Sequence, residues 1–135
     1  MIKAVAYYRV ASPDGAEMGL QRQKETVREY AKKNGYEIAA EVEAVESGST
    51  ANRESLKEVK RELDNTGSEA VLVRTIDRIA RKPMEIGKAL SILGKVEVAE
   101  GENFSSDQLN LLSSMAVVFA TLDKEDDMME ETGLE

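Results

Sequence analysis

Four short apolar segments alternate with segments of helical periodicity along this chain, and this order limits the fold more than any other feature of the sequence. Residues 2–8, 36–45, 70–73 and 96–98 predict strands, whereas residues 18–33, 53–63 and a segment that begins at Pro83 predict helices. Strands that alternate with helices form a mainly parallel sheet through right-handed crossover connections. The sequence therefore predicts an α/β domain of three layers, with a central sheet and flanking helices.

A longer helical pattern covers about residues 106–129. Apolar side chains recur there at spacings of three and four residues, and further apolar residues widen the surface beyond one stripe. The pattern includes Leu109, Leu111, Leu112, Met115, Ala116, Val117, Val118, Phe119 and Leu122. A helix of this kind is either buried deeply in its own domain or packed against another chain. We favour the second interpretation and expect this helix to form a homodimer.

The composition indicates one domain over residues 1–135 and excludes several kinds of chemistry. The chain has no cysteine and no histidine, which excludes disulfides, thiol nucleophiles and sites that depend on imidazole. No apolar run approaches the roughly 20 residues that span a bilayer, and no signal peptide is visible, so we expect a cytoplasmic protein without a membrane partner. The final Leu134 and Glu135 are typical of a cloning remnant.

The charge is distributed unevenly along the chain. The formal net charge of −8 argues against a nucleic-acid partner at first sight. However, residues 1–82 hold 15 Lys and Arg against 14 Asp and Glu, whereas residues 83–135 hold 3 against 12. The basic residues of the first part are either an ordinary solvated surface or part of an anion site.

Arginines follow the predicted strands and favour the anion site. Arg9 ends the first strand, and Arg78 and Arg81 follow the third. Arg53 begins a helix whose preceding loop belongs to the same edge of the sheet, where α/β proteins bind ligands. Guanidinium groups match phosphate oxygens, so the predicted contact is with a phosphodiester. Asp77 lies four residues before Arg81, and an ordinary surface ion pair between them is the simpler interpretation of that spacing.

Four motifs in order resemble those of the serine site-specific DNA recombinases, the resolvase and invertase family. The resemblance covers roughly residues 2–125, and the Asp-Arg motif is its most specific part. The motifs are Tyr8-Arg9-Val10-Ala11-Ser12, Leu20-Gln21-Arg22-Gln23, Ser47-Gly48-Ser49-Thr50 followed by Arg53-Glu54, and Asp77-Arg78-Ile79-Ala80-Arg81. The long helical pattern is similar to the dimerising helix of that family.

This resemblance implies a function and a set of roles. Members of the family cleave DNA by serine attack on a phosphodiester, form a phosphoserine link, exchange strands in a tetramer and religate, without metal or cofactor. It implies that the scissile phosphate is held by Arg9, Arg53, Arg78 and Arg81. Asp77 would orient arginines or assist the leaving 3′ oxygen, and Gln23 would be a supporting polar residue.

The chain departs from the family pattern in three places. The nucleophile position is Ala11, which leaves Ser12 as the alternative nucleophile, and Gly15 replaces a glutamine. The predicted long helix ends in acidic residues, namely Asp123, Glu125, Asp126, Asp127, Glu130 and Glu131. The separate DNA-binding domain that the family usually carries after this helix is absent. We therefore expect this sequence not to cleave DNA.

Two other kinds of protein remain as alternatives. A nucleotide-binding or receiver-like α/β domain is disfavoured, because no Gly-x-Gly-x-x-Gly or Gly-x4-Gly-Lys-Ser/Thr loop follows a predicted strand. Arg9 also stands where a receiver places acidic residues. A recombinase-like subunit without catalysis, which acts through its dimer surface, is consistent with Ala11 and the acidic C-terminal segment.

Overall fold

A parallel sheet lies at the centre of the structure, a computed structural model that describes residues 1–45, 54–100 and Leu111. The described strands are β1 (Ile2–Val10), β2 (Tyr36–Val45), β3 (Ala70–Val73) and β4 (Val96–Val98). The described helices are α1 (Ala16–Asn34), α2 (Glu54–Thr66) and α3 (Pro83–Leu93), together with a 3-10 turn at Ile76–Arg78.

The strand order is β2-β1-β3-β4, and every described pair is parallel. Strand β1 is central: it pairs with β2 along its whole length but with β3 only from Ala4 to Ala6. Its pairing with β2 shifts register after Ala4, where the partner changes from Ile38 to Ala40. The carboxyl half of β1 therefore extends past its last residue paired with β3, and this half carries Arg9.

Helices cover both faces of the sheet, which confirms the predicted three-layer α/β fold. On one face α1 buries Val27 and Ala31 against alanines and Leu72 of β1 and β3. On the other face α2 and α3 bury their apolar side chains against β1, β3 and β4. The inward residues of α2 are those that the helical periodicity predicts, namely Leu56, Val59 and Leu63.

Some element boundaries differ from the predictions for local reasons. Helix α1 begins two residues earlier, directly after Gly15, which has φ of 70° and so adopts a left-handed conformation that glycine tolerates. The turn after β3 ends at Arg78, and Lys82, which precedes Pro83, is extended. Pro83 then occupies the first turn of α3, as predicted.

The predicted long helix over 106–129 and the loop over 47–50 lie outside the described residues, with the exception of Leu111. This residue is helical and 62% exposed. None of the helices in the described part of the chain has the length and apolarity needed to cross a membrane.

Candidate active site

Strand β1 ends at Val10, and the next residues form an exposed loop at the carboxyl edge of the sheet. Ala11 and Ser12 are both exposed, and the Ser12 hydroxyl accepts a hydrogen bond from the Asp14 backbone N–H at 3.2 Å. Arg9, two residues before Ala11, is 1% exposed and belongs to the interior. The predicted nucleophile position therefore lies two residues after a buried arginine.

The Arg9 side chain fastens the end of β1 to the turn after β3. Its Nε donates to the carbonyl of Arg78 at 2.8 Å, and its Nη2 donates to the carbonyl of Asp77 at 2.7 Å. In return, Nη1 of Arg78 donates to the carbonyl of Arg9 at 3.0 Å. These charge-assisted bonds place Arg9 and Arg78 in direct contact.

Gln23 of α1 holds the backbone of Arg9 from the helical side. Its Nε2 donates to the Arg9 carbonyl at 2.9 Å, and its Oε1 accepts from the Arg9 N–H at 2.9 Å. Gln23 is 1% exposed. Buried backbone groups require partners, and an amide side chain supplies one donor and one acceptor together.

Asp77 and Arg78 lie on the short 3-10 turn. The hydroxyl of Thr75 donates to the Asp77 carboxylate, and Asp77 Oδ1 lies 3.9 Å from Nε of Arg78. Behind the turn Ile79 and Ala80 are fully buried, which anchors it in the core. The fold thus holds the side chains of Asp77 and Arg78 next to each other.

The structure brings some of the predicted site residues together and leaves others apart. Arg9, Gln23, Asp77 and Arg78 form one bonded group. Arg81 is exposed, and no ion pair between described residues joins it to Asp77, because the turn ends at Arg78. Arg53 lies outside the described residues.

Sequence reasoning missed two features of this site. Thr75, which orients the Asp77 carboxylate, precedes the turn by one residue, and its position two residues before an aspartate is the signal for such a bond. The second is the inward direction of the Arg9 guanidinium toward backbone carbonyls.

A polar cluster between α1 and β2 fixes the helix that carries Gln23. Arg28 donates to both Glu41 oxygens, at 3.0 and 2.8 Å, and the Tyr8 hydroxyl donates to Glu41 at 2.5 Å. The hydrogen bonds from Arg28 lower the pKa of Glu41, against the opposing effect of burial. Burial, together with the bond to Glu41, raises the pKa of Tyr8 well above its usual range.

A cavity of about 620 Å³ lies elsewhere, between β2 and α2. On the α2 side its lining carries Glu54, Glu58, Glu62 and Arg61, whereas the carboxylates of Glu41 and Glu43 pair with Arg28 and Lys24 of α1 on the other face of the sheet. Among the described site residues, Arg9, Asp77 and Arg78 do not line this cavity. Within the ranges that the structure describes, no group of three or more acidic side chains lies where it could hold a metal ion.

Comparison with known families identifies the fold and its relatives. The model of the resolvase N-terminal domain matches residues 4–132. The chain belongs to the resolvase family. Comparison with curated protein sequences finds no match.

Solved structures of resolvase-type catalytic domains are similar to this one. The C-terminal catalytic domain of ISC1926 TnpA, an IS607-like serine recombinase, is 28% identical with a TM-score of 0.62, over 90% of this chain and 83% of that chain. The N-terminal catalytic domain of TP901-1 integrase is 20% identical with a TM-score of 0.69, over 93% and 98%. A resolvase family site-specific recombinase from Streptococcus pneumoniae is 24% identical with a TM-score of 0.66, over 100% of both chains. At their lower identity, the last two comparisons show a shared fold.

Proposed function

We propose that this resolvase-family chain is the catalytic domain of a serine recombinase that acts on the DNA phosphodiester backbone, and that Ala11 prevents it from cleaving DNA. The observation that carries the proposal is the exposed position 11 beside the bonded Arg9–Arg78 pair, at the edge where α/β sheets bind ligands. The similarity of this chain to the catalytic domain of an IS607-like serine recombinase supports the same class of substrate. We expect the protein to act in the cytoplasm, as a homodimer and as a tetramer on DNA.

In this proposal four arginines supply the positive charge around the scissile phosphate. Arg78 is partly exposed and Arg81 is exposed. In this proposal both contact phosphate oxygens, together with Arg53. Arg9 is buried and contributes its permanent charge from beneath the site. Asp77 orients Arg78 or assists the leaving 3′ oxygen. Such preorganised donors stabilise charge that develops on phosphorus oxygens in the transition state.

The reaction requires a side-chain oxygen at the nucleophile position. A serine hydroxyl would form a bond to phosphorus, the bond between phosphorus and the 3′ oxygen would break, and the leaving oxygen would take up a proton. The methyl group of Ala11 has no lone pair for this step. Ser12 is exposed but is engaged in a local bond with the Asp14 N–H, so it is the weaker candidate.

We predict that Ala11→Ser creates a protein that attaches covalently to DNA, whereas the present sequence does not attach. The assay incubates each protein with a pool of end-labelled, nicked duplexes of varied sequence and detects the adduct in a denaturing gel. A companion variant, Ala11→Ser with Ser12→Ala, should still form the adduct. If the present sequence forms an adduct that Ser12→Ala abolishes, Ser12 is the nucleophile and the proposal for position 11 is wrong.

A catalytically inactive recombinase-like regulatory or interaction subunit is the second candidate. Ala11 itself favours it, as does the run of acidic residues over 123–131, which disfavours DNA contact by that segment. This candidate predicts that Ala11→Ser remains unreactive toward the whole pool of duplexes while the protein still assembles with another copy.

A further inference from the structure

We propose that Gln23 is a positioning residue: by holding both backbone groups of Arg9, it fixes the path on which residue 11 leaves β1 and so sets the reactive side chain against Arg78. The consequence for DNA cleavage rests on the proposed function. The positioning itself is a property of the folded chain and is tested without DNA.

Arg9 lies in a part of β1 that does not pair with β3. The pairing of β1 with β3 ends at Ala6, so Arg9 lies three residues beyond the last β1 residue that β3 supports. Here α1 supplies the hydrogen-bond partners, because Gln23 bonds to both the N–H and the carbonyl of Arg9, each at 2.9 Å. One side chain therefore replaces a neighbouring strand at the end of β1.

Two side chains donate to the Arg9 carbonyl. It accepts from Nε2 of Gln23 at 2.9 Å and from Nη1 of Arg78 at 3.0 Å. The Arg9 side chain returns two bonds to the carbonyls of Asp77 and Arg78. The bonds link α1, β1 and the 3-10 turn, so a displacement of the Arg9 peptide also changes the direction of the Arg78 guanidinium.

The burial of Gln23 excludes a direct contact with DNA. Gln23 is 1% exposed, so it has no surface from which to touch DNA, and any effect on chemistry must pass through Arg9. Residue 11 is the second residue after Arg9 and lies in an exposed bend. The direction of residue 11 is therefore set by Arg9, which is hydrogen-bonded both to Gln23 of α1 and to the turn after β3.

The experiment uses the absence of cysteine from the chain. Ala11→Cys introduces a single thiol at the nucleophile position of the chain. Its rate of reaction is measured from pH 6 to 10 with an anionic aromatic disulfide and with a cationic methanethiosulfonate. A guanidinium group nearby stabilises the thiolate and favours the anionic reagent. The ratio of the two rates and the pH profile together report how close the Arg78 guanidinium group lies to the thiol.

We expect Gln23→Met, added to Ala11→Cys, to reduce the preference for the anionic reagent by at least about threefold and to shift the pH profile upward. The matched control is Gln21→Met, because Gln21 is exposed on the same helix and bonds only to Glu25 among the contacts described. If Gln23→Met does not fold, Gln23→Asn replaces it, since this neutral amide is one methylene shorter and cannot reach both backbone groups. Far-UV circular dichroism establishes that each variant is folded.

Arg78→Met in the Ala11→Cys protein completes the design. Gln23→Met should have no further effect on the rate ratio or the pH profile in this background, because the Arg78 guanidinium that it would displace has been removed. If a folded Gln23 variant keeps the rate ratio and pH profile of Ala11→Cys while Arg78→Met changes them, the positioning role is wrong and the arginine site stands. If Arg78→Met changes neither quantity, the arginine site of the proposed function fails, and the positioning role fails with it.

Discussion

Gly19 is the residue at which α1 approaches the end of β1 most tightly among the described glycines. A Cβ atom added to Gly19 would lie 2.9 Å from Cγ1 of Val10. Valine is branched at Cβ and has few alternative rotamers, so it cannot easily turn aside. The missing side chain at Gly19 therefore permits the contact that holds Val10, the residue before Ala11.

We predict that Gly19→Ala destabilises the protein by about 1 kcal/mol, because overpacking costs about 1–3 kcal/mol and the gain in helix propensity returns at most about 1 kcal/mol. The measurement is the midpoint and slope of urea unfolding. The sign should reverse in a Val10→Ala background, where the clash is absent and alanine is simply the better helix former. A stabilising effect of Gly19→Ala in the unmodified chain would contradict this account.

At the residue scale, the sequence predicted which residues lie at the site better than it predicted how their side chains are directed. Arg9, Asp77 and Arg78 follow strands in the sequence, and topology alone brings such positions to one edge of a parallel sheet. The direction of Arg9 could not be predicted, because its acceptors are backbone carbonyls, which every residue possesses. The ion pair considered between Asp77 and Arg81 required a helical turn through Arg81, whereas the observed turn ends at Arg78.

Helix α1 is held to β2 by paired charges at the level of whole elements. Arg28 and Tyr8 both donate to Glu41, and Lys24 forms an ion pair with Glu43. Gln23 directly precedes Lys24 on this helix, so these contacts also help to determine where Gln23 meets Arg9. On the same helix Tyr30 donates to Glu97 of β4, which ties α1 to the opposite edge of the sheet.

We predict that Glu41→Gln lowers the free energy of unfolding at pH 7 by about 1 kcal/mol, since the ion pair is partly exposed and the Tyr8 hydroxyl loses a charged acceptor. Hydrogen bonds from Arg28 and Tyr8 lower the folded-state pKa of Glu41 below its ordinary value of 4.5. The stabilisation is therefore present above pH 4.5 and disappears as the pH falls through the folded-state pKa.

Unfolding in urea between pH 7 and pH 3 tests this prediction. The two proteins should converge in stability at the acidic end. Glu37→Gln is the control, because Glu37 is exposed on the same strand, and it should differ little from the parent at any pH. A difference between Glu41→Gln and the parent that stays constant over the whole range would show that charge is not the cause.

The strands were more predictable than the boundaries of the helices. Strands β2, β3 and β4 have the bounds that their apolar runs predict. Strand β1 continues through Arg9 and Val10, because both residues still pair with β2, although a charged side chain suggested that the strand had ended. Arg9 is buried because it bonds to carbonyl oxygens of a distant turn, and the pattern of apolar residues along the sequence cannot predict such a tertiary contact.

At the scale of the whole molecule, the described arginines of the candidate site lie at one edge of the sheet. Arg9 lies at the carboxyl end of β1, and Arg78 and Arg81 follow the carboxyl end of β3. A polyanion such as DNA is attracted to local positive charge of this kind. The proposed DNA contact at this edge is therefore compatible with the net charge of −8.

We predict that the segment over about 106–129 makes the protein a homodimer, since its apolar pattern is wider than one core face requires. Leu111 is helical and 62% exposed in the single chain, as a residue that meets a partner would be. Burial of such a leucine contributes about 1.5–3 kcal/mol, so replacing it with a charged residue should weaken association by tenfold or more. Sedimentation equilibrium of the parent and of Leu111→Lys, up to about 100 µM protein, measures this difference.

Ile92→Lys is the matched control for the dimer, because Ile92 is also an exposed aliphatic residue of a helix but lies on α3. It should leave the association constant of the parent unchanged, whereas Leu111→Lys should shift the sample to monomer with the same helix content by far-UV circular dichroism. A parent protein that stays monomeric over the whole range with its helices intact would show that the apolar surface is buried within one chain. The long helix would then complete the domain's own core, and the tetramer on DNA would need a different interface.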